Sequence, residues 1–183
     1  MTDESTIAQL VRDVQILKDI KEIEKLKYSY FRCVDTANMA EMRTLLHDDV
    51  TNELVGGDHT VSITGADAFC DFLRSAVHSK IVALHQGHHP EIEIISETEA
   101  TGRWYLWDLF IDLAANTQMY GTALYQDRYV KQDGRWVIRH NSYKRVFEVI
   151  EPLNGPLNLR THLLGQTGFK HPEGDVPVLE GQY

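Results

Sequence analysis

The feature that most constrains the fold is a change in the spacing of apolar residues along the chain. Over the first 46 residues, apolar side chains recur at the three- and four-residue spacing of an amphipathic helix, in two sets: Ile7, Leu10, Val14 and Leu17, then Ile23, Leu26, Tyr30 and Val34. From Ile81 onward most of the chain has the pattern of β-strands. Helices followed by strands predict an α+β fold, with one sheet curling over the helices.

The predicted helices have recognisable boundaries. Asp19 followed by Glu22 resembles a capping box, so we expect two consecutive helices with a bend near Asp19. A third, short helix is predicted from Met39 to Leu46, and a fourth begins after Gly65.

The predicted strands form a long antiparallel meander. Two short strands, 50–55 and 59–63, flank a glycine-rich turn, and five more cover 81–87, 90–96, 101–114, 119–132 and 135–148. Asp133-Gly134 is a strong hairpin signal between the last two. We expect residues 1–151 to form a single domain, and residues 152–183, which hold four of the five prolines, to form a C-terminal arm or tail.

The charge and composition exclude several classes of partner. A net charge of −9 argues against nucleic acid, which is bound through a basic surface. No apolar run approaches the roughly 18 residues of a membrane span, and MTDESTIAQL does not resemble a signal peptide. Cys33 and Cys70 are expected to be buried thiols rather than a disulfide. We therefore expect a cytoplasmic protein that binds neither nucleic acid nor a membrane.

Asp108 is the most conspicuous polar residue of the strand region. Strand parity places it on one face with Trp104, Leu106 and Phe110, while the residues of the opposite face predict that this face is covered as well. A carboxylate on such a face must be paired or hydrogen-bonded, or its pKa must rise. Asp108 is thus either a functional acid or part of a structural ion pair.

The run HQGHHP, from His85 to Pro90, contains three histidines but matches no metal-binding spacing. His88 and His89 are expected at an exposed corner between two strands. His85 shares parity with Ile81 and Ala83, so it should point inward, either as a core histidine or as a general base held by a carboxylate.

Three further residues are candidates for a pocket. Arg145, near the end of the last strand, is either a solvated side chain or a partner for a buried carboxylate or an anionic substrate group. Tyr30 lies on the core stripe of its helix, so its hydroxyl needs a partner or a cavity. Asp35 lies about 140° around the helix from Tyr30, so spacing alone leaves it either a helix end or a functional acid.

Four segments, in this order and spacing, resemble the bile acid 7α-dehydratases: YFRCVD, LHQGHHPEIEI, SETEATGRWYL and YKRVFE. Those enzymes are SnoaL-like members of a superfamily with nuclear transport factor 2, scytalone dehydratase and ketosteroid isomerase. The resemblance runs from about Ile20 to Glu151. It implies a cone of helices against a curved, mostly antiparallel sheet with the active site inside. It also implies an oligomer, often a trimer, and no metal or organic cofactor.

Position by position, the resemblance places catalytic residues at Tyr30, Asp35 and His85, and substrate-binding or supporting residues at Asp108 and Arg145. The chain departs from the family pattern at Trp107, in the segment after Asp112 and in its longer tail. These departures concern the substrate more than the chemistry.

The resulting hypothesis is a cofactor-independent hydro-lyase that eliminates water from a hydroxylated, steroid-like or polycyclic carbonyl compound, either free or as a coenzyme A thioester. His85 would remove a proton activated by the conjugated carbonyl, and Asp35 would orient His85. Tyr30 would donate a hydrogen bond to the enolate oxygen or to the leaving hydroxyl. Two alternatives remain: an isomerase of the ketosteroid type, and a non-catalytic ligand-binding or assembly module.

Overall fold

The chain folds into helices packed on one curved, unclosed sheet. The computed structural model describes residues 2–57, 60–155 and 157–170. In chain order the elements are α1 (Thr2–Asp35), α2 (Met39–Leu45), β1 (Leu46–Val55), β2 (Thr60–Thr64), α3 (Ala66–Ala76), β3 (Ile81–Ile94), β4 (Glu99–Asp112), β5 (Thr117–Gln132), β6 (Arg135–Pro152) and α4 (Leu163–Thr167). The strand order is β2-β1-β6-β5-β4-β3, and all neighbours are antiparallel except β1 and β6. The predicted α+β class with a mostly antiparallel sheet is confirmed.

Helix α1 is continuous from Thr2 to Asp35, so the predicted bend near Asp19 is wrong. Asp19 does not cap a second helix. Its Oδ1 accepts hydrogen bonds from Lys131 Nζ at 2.7 Å and from Trp136 Nε1 at 2.8 Å. Because the hairpin of β5 and β6 engages this side chain, tertiary contacts outweigh the capping-box pattern, and the backbone stays helical.

Strand β3 is a single element, whereas the sequence predicted two strands separated by a corner. The expected corner is an irregularity within the strand, because the pairing of β3 with β4 shifts register between His88 and Glu91. His89 has a φ of 51° there. His88 and His89 are exposed, as predicted.

The second half of α1 lies unusually close to β3 at Gly87. A Cβ atom at this position would lie 2.2 Å from Cε2 of Phe31, so a side chain here would collide with the helix. The Phe31 ring is itself held edge-on by Tyr30 and Tyr125. This close approach brings the C-terminal end of α1 beside the part of β3 that carries His85.

The two faces of β4 differ in burial. Trp104, Leu106 and Asp108 are buried on the face predicted to point inward. The opposite face was predicted to be covered too, and Ile111 on it is buried, but Tyr105 is 47% and Trp107 39% exposed, so that prediction is wrong for these two residues. The reason is that the helices pack against only one side of the sheet at these positions.

Several smaller predictions are also decided. Asp133 and Gly134 form the tight turn between β5 and β6, with φ values of 51° and 77°. Cys33 and Cys70 are buried free thiols, as expected. Within the described ranges, no helix is both long enough and apolar enough to span a membrane.

Part of the predicted C-terminal arm lies against the domain. Leu164 and Phe169 are buried, and His162 Nε2 lies 2.7 Å from the carbonyl oxygen of Ile81. Residues 171–183 lie outside the described residues. The division of the chain into a domain, 1–151, and an arm, 152–183, stays a prediction.

Candidate active site

A cavity of about 220 Å³ lies between α1, α3 and the inner face of the sheet. Its wall is largely apolar, with side chains that include Val34, Leu54, Phe72, Leu73, Leu106 and Phe110. Four of the residues predicted for the site line this cavity: Tyr30, His85, Asp108 and Arg145. The fifth, Asp35, contacts His85 instead.

Asp35 and His85 form a close pair at the wall of the cavity. Oδ1 of Asp35 lies 2.6 Å from Nδ1 of His85, and its Oδ2 accepts a hydrogen bond from the backbone N–H of His85 at 2.9 Å. Because an ionised carboxylate only accepts hydrogen bonds, Nδ1 carries the proton and Nε2 remains as the basic nitrogen. The side chains are only 15% and 19% exposed, so the pair is partly shielded from water.

This pair resolves the geometric question posed by α1. Asp35 is the last residue of the helix, and its side chain reaches across to β3. Tyr30, about 140° away around the helix, lines the cavity directly. Tyr30 therefore lines the cavity itself, whereas Asp35 is connected to the cavity through its contact with His85. The last turn of α1 does not need to unwind for both contacts to form.

The Tyr30 hydroxyl lies within a buried polar group. Its oxygen accepts a hydrogen bond from Asn141 Nδ2 at 3.3 Å, and Tyr125 forms another hydrogen bond with it. Burial raises the pKa of Tyr30 well above its ordinary value, and the charge of Asp127 raises it further. The hydroxyl therefore keeps its proton at neutral pH and acts as a hydrogen-bond donor rather than a base.

Behind Tyr30 lies a fully buried lysine that sequence reasoning missed. Lys27 Nζ lies 2.8 Å from Asp127 Oδ2, donates to Asn141 Oδ1 at 3.2 Å, and is 3.6 Å from the centre of the Tyr125 ring. Asn141 in turn donates to Tyr30. A continuous chain of polar contacts thus joins Lys27 to the Tyr30 hydroxyl.

The same patterns that revealed Tyr30 and Asp108 also contained a signal for this cluster. Lys27 lies four residues after Ile23 and three before Tyr30, on the core stripe of α1. Asp127 shares the inward face of β5 with the buried Tyr125 and Tyr129. A charge on each of two apolar faces is the expected signature of a buried ion pair.

Asp108 and Arg145 form a second buried ion pair on the cavity wall. Nη1 and Nη2 of Arg145 donate to the two carboxylate oxygens of Asp108 at 2.6 and 2.7 Å. Burial lowers the pKa of Arg145, but the hydrogen bonds and charge of Asp108 raise it more, so the net shift is upward. The side chain of Arg145 is 8% exposed, so the alternative of a solvated arginine at the strand end is wrong.

Glu148 is a further cavity residue that the sequence did not indicate. Its Oε2 lies 3.1 Å from Nε of Arg145. The pairing of β5 with β6 shifts register between Thr122 and Ala123, which breaks the parity of β6 after Arg145. Phe147 is therefore exposed and Glu148 lines the cavity, a result that alternation alone does not give.

The histidine-rich segment does not build a metal centre within the described parts of the chain. There, no group of three or more His, Cys, Asp or Glu side chains is arranged to hold a metal ion. His88 and His89 lie with their rings 6.0 Å apart on the exposed part of β3, away from the Asp35–His85 pair.

The fold and cavity define a class of small α+β proteins in which helices close a curved, mostly antiparallel sheet into a cone around an internal space. The chain belongs to the SnoaL-like domain family, whose model matches residues 15–141.

Solved structures agree with this fold. A type 2 hexachlorocyclohexane dehydrochlorinase, LinA, has a TM-score of 0.70 at 17% identity, covering 80% of this chain and 99% of that one. A candidate scytalone dehydratase from Novosphingobium aromaticivorans has a TM-score of 0.66 at 20% identity, covering 81% and 99%. A type 3 LinA from Novosphingobium barchaimii has a TM-score of 0.68 at 19% identity, also covering 81% and 99%. At these identities the likeness shows the fold alone.

Proposed function

We propose that the protein is a hydro-lyase that eliminates water from a hydroxylated polycyclic carbonyl compound, without a cofactor. The observation that carries the proposal is the Asp35–His85 pair at the wall of an apolar cavity that Tyr30 also lines. A base and a hydrogen-bond donor on one cavity suit the removal of a proton next to a carbonyl group.

The proposed reaction has two stages. Nε2 of His85 takes a proton from a carbon activated by the conjugated carbonyl, and the electron pair of that C–H bond moves to the carbonyl oxygen as an enolate. The enolate then re-forms the carbonyl and a new C=C bond, and the C–O bond to the hydroxyl group breaks. The imidazolium of His85 returns its proton to the departing hydroxide, so water leaves. Asp35 holds the ring in place and stabilises its cationic form.

Tyr30 donates its hydrogen bond either to the enolate oxygen or to the leaving hydroxyl. Its oxygen already accepts from Asn141 and interacts with Tyr125. We propose that the O–H proton of Tyr30 is donated to the substrate. A donor placed before the reaction where negative charge develops is the arrangement that stabilises such a transition state.

The charges around Arg145 favour an uncharged reacting group. Both terminal nitrogens of Arg145 are engaged by Asp108, and Glu148 lies beside Nε. This wall therefore carries two carboxylates for one guanidinium, which opposes the binding of an anion there. We propose that Asp108 and Arg145 shape and close the cavity, and that any carboxylate or coenzyme A portion of the substrate lies outside it.

The size of the cavity limits how the substrate enters. Its volume of about 220 Å³ is below the roughly 300–1,000 Å³ usual for sites that enclose a drug-sized ligand. The proposal is therefore that the reacting ring enters, while the rest of a steroid-like molecule lies at the opening. The resemblance to bile acid 7α-dehydratases supports a 7α-hydroxylated steroid, and the dehydrochlorinase and dehydratase names of similar structures support an elimination.

The test is turnover of a panel of 7α-hydroxylated steroid carbonyl compounds, as free acids and as coenzyme A thioesters, followed by mass spectrometry. The proposal predicts a product lighter by one water. A product of unchanged mass with a moved double bond identifies the isomerase instead. Stoichiometric binding with no turnover of any compound identifies a binding module.

A further inference from the structure

The N-terminal half of α1 carries apolar side chains that no other part of the described ranges covers. Residues 3–18 are all exposed, a length of roughly 24 Å at the rise of an α-helix. Ile7, Leu10, Val11, Val14 and Leu17 are between 49% and 64% exposed. We refer to Ile7, Leu10, Val14 and Leu17 as the arm stripe.

The arm stripe points away from the body of the protein. At about 100° per residue, its centre lies roughly 180° around the helix from the centre of the buried set, Ile23, Leu26, Tyr30 and Val34. Helix α1 is continuous between the two sets. The sheet that buries the second set is therefore on the wrong side to cover the first, so the arm stripe is available to another molecule.

We propose that the arm stripe pairs with the arm stripe of a second copy in a parallel, two-stranded coiled coil. Its spacing of three, four and three residues is that of the a and d positions of a heptad repeat, which form the seam between two helices. Ile7 and Val14 then occupy a positions, and Leu10 and Leu17 occupy d positions. β-branched residues at a with leucine at d favour two parallel strands over three or four.

The charges beside the stripe agree with this orientation. Asp13 occupies a g position and Lys18 the following e position, and both are exposed. In a parallel pair, the g residue of one helix faces the next e residue of its partner, so Asp13 of each copy meets Lys18 of the other. An antiparallel pair brings g residues together and leaves Asp13 without an opposite charge.

Two heptads form only a short coiled coil, but here the helix is already formed before the two copies associate. A free peptide of this length is a marginal helix because nucleation is costly. In this protein the second half of α1 is packed on the sheet, which holds the first half in helical form. The coiled coil predicts a dimer, whereas the family resemblance implies a trimer. The proposal does not depend on the proposed reaction.

The first test is disulfide cross-linking of the full-length protein under mild oxidation. Val14→Cys and Leu17→Cys should each give covalent dimers, because equivalent residues face each other in a parallel seam. Arg12→Cys, on the outer side of the helix, is the matched control and should stay monomeric on non-reducing gels, as should the wild type with its buried Cys33 and Cys70. Equal cross-linking of Arg12→Cys overturns the proposal. So does a disulfide that forms only when Ile7→Cys and Leu17→Cys are mixed, since that result means an antiparallel pair.

The second test is sedimentation of a variant with lysines in the seam. Leu10→Lys combined with Val14→Lys should weaken association at least about tenfold and halve the mass of the assembly. Ala8→Lys combined with Gln9→Lys adds the same charge on the outer positions and should sediment as the wild type. A trimeric wild type, or a seam variant whose mass is unchanged, contradicts the proposal.

Discussion

His85 derives its proposed role from the single contact that fixes its ring. Asp35 holds Nδ1 at 2.6 Å and also accepts the backbone N–H of His85, so both the side chain and the strand are oriented by one carboxylate. His88, three residues further along β3, has an exposed ring instead. The two histidines therefore form a matched pair for testing which imidazole performs chemistry.

Replacing His85 with alanine should lower turnover of a dehydrated substrate by roughly 10²–10⁴-fold, the usual contribution of a positioned general base. Asp35→Asn should also lower turnover, because the ring loses the charge that stabilises its protonated form. The measurement is kcat on a substrate identified from the steroid panel, with circular dichroism to show that each variant is folded. His88→Ala should keep wild-type turnover. Wild-type turnover in His85→Ala would remove the assignment.

Lys27 and Asp127 stabilise the cluster behind Tyr30 only as a pair. Burial lowers the pKa of Lys27, while the charge of Asp127 and its hydrogen bond raise it, and the net shift is downward. Asp127 Oδ1 has no hydrogen-bond partner among the described residues. The carboxylate therefore depends on Lys27 for much of its compensation.

The change Lys27→Met should lower the free energy of unfolding by about 3–5 kcal/mol, because it leaves a buried carboxylate unpaired. Combining it with Asp127→Asn should recover most of that loss, since the second change removes the charge and keeps an acceptor for Tyr129. Urea unfolding of the wild type and the two variants measures both effects. A loss below about 1 kcal/mol in Lys27→Met would show that the charge is not retained on Asp127.

At the scale of elements, apolar spacing predicted the helices, most strands and the inward face of β4, because each depends on local period. It failed where a distant residue decides the outcome. Asp19 belongs to a continuous helix because Lys131 and Trp136 bind it. The contact of Asp35 with His85, fifty residues apart, depends on the approach of α1 to Gly87. None of these contacts can be predicted from the spacing of apolar residues along the sequence.

Strand parity likewise works only while the strand is regular. It placed Asp108 on the buried face, where the structure has it. Beyond the register shift in β6, strand parity no longer predicts which side chains point inward. Glu148 was missed for this reason. Helix and strand patterns made Tyr30, Asp35 and His85 candidates with structural alternatives, and the family resemblance added catalytic roles, which remain predictions.

The contact of Asp19 in α1 with the hairpin of β5 and β6 should stabilise the protein to an extent that depends on pH. Burial raises the pKa of Asp19, but hydrogen bonds from Lys131 and Trp136 lower it more, so the net value is below 3.8. A carboxylate with a lowered folded pKa stabilises the protein fully above its unfolded pKa, and this contribution is lost as the pH falls through the folded pKa. Asp19→Asn should therefore cost about 1.5–3 kcal/mol at neutral pH.

The difference in unfolding free energy between Asp19→Asn and the wild type should shrink once the pH falls below 3.8. Urea unfolding over a series of pH values measures it. Glu22→Gln, an exposed change on the same helix, should have little effect at any pH. A difference for Asp19→Asn that stays constant into the acid range would mean that the charge of Asp19 does not stabilise the helix.

For the whole molecule, the fold separates two proposed sites in space, the cavity and the arm stripe. The curved sheet and the second half of α1 enclose a small cavity lined by Tyr30, His85 and the Asp108–Arg145 ion pair. The first half of α1 lies outside this body and presents the arm stripe. Association through the arm leaves the cavity untouched, so the seam variants described above should keep whatever catalytic rate the wild type shows.

The proposed function requires His85 to remove a proton from carbon within this cavity, and this step can be measured without the elimination itself. A steroid with a conjugated carbonyl but no hydroxyl group is incubated with the protein in heavy water, and its deuterium content is followed by mass spectrometry. The wild type and His88→Ala should introduce deuterium at the activated carbon, whereas His85→Ala should not exceed the uncatalysed rate. Equal uptake with His85→Ala, or no uptake by a wild type that binds the ketone, would contradict the account.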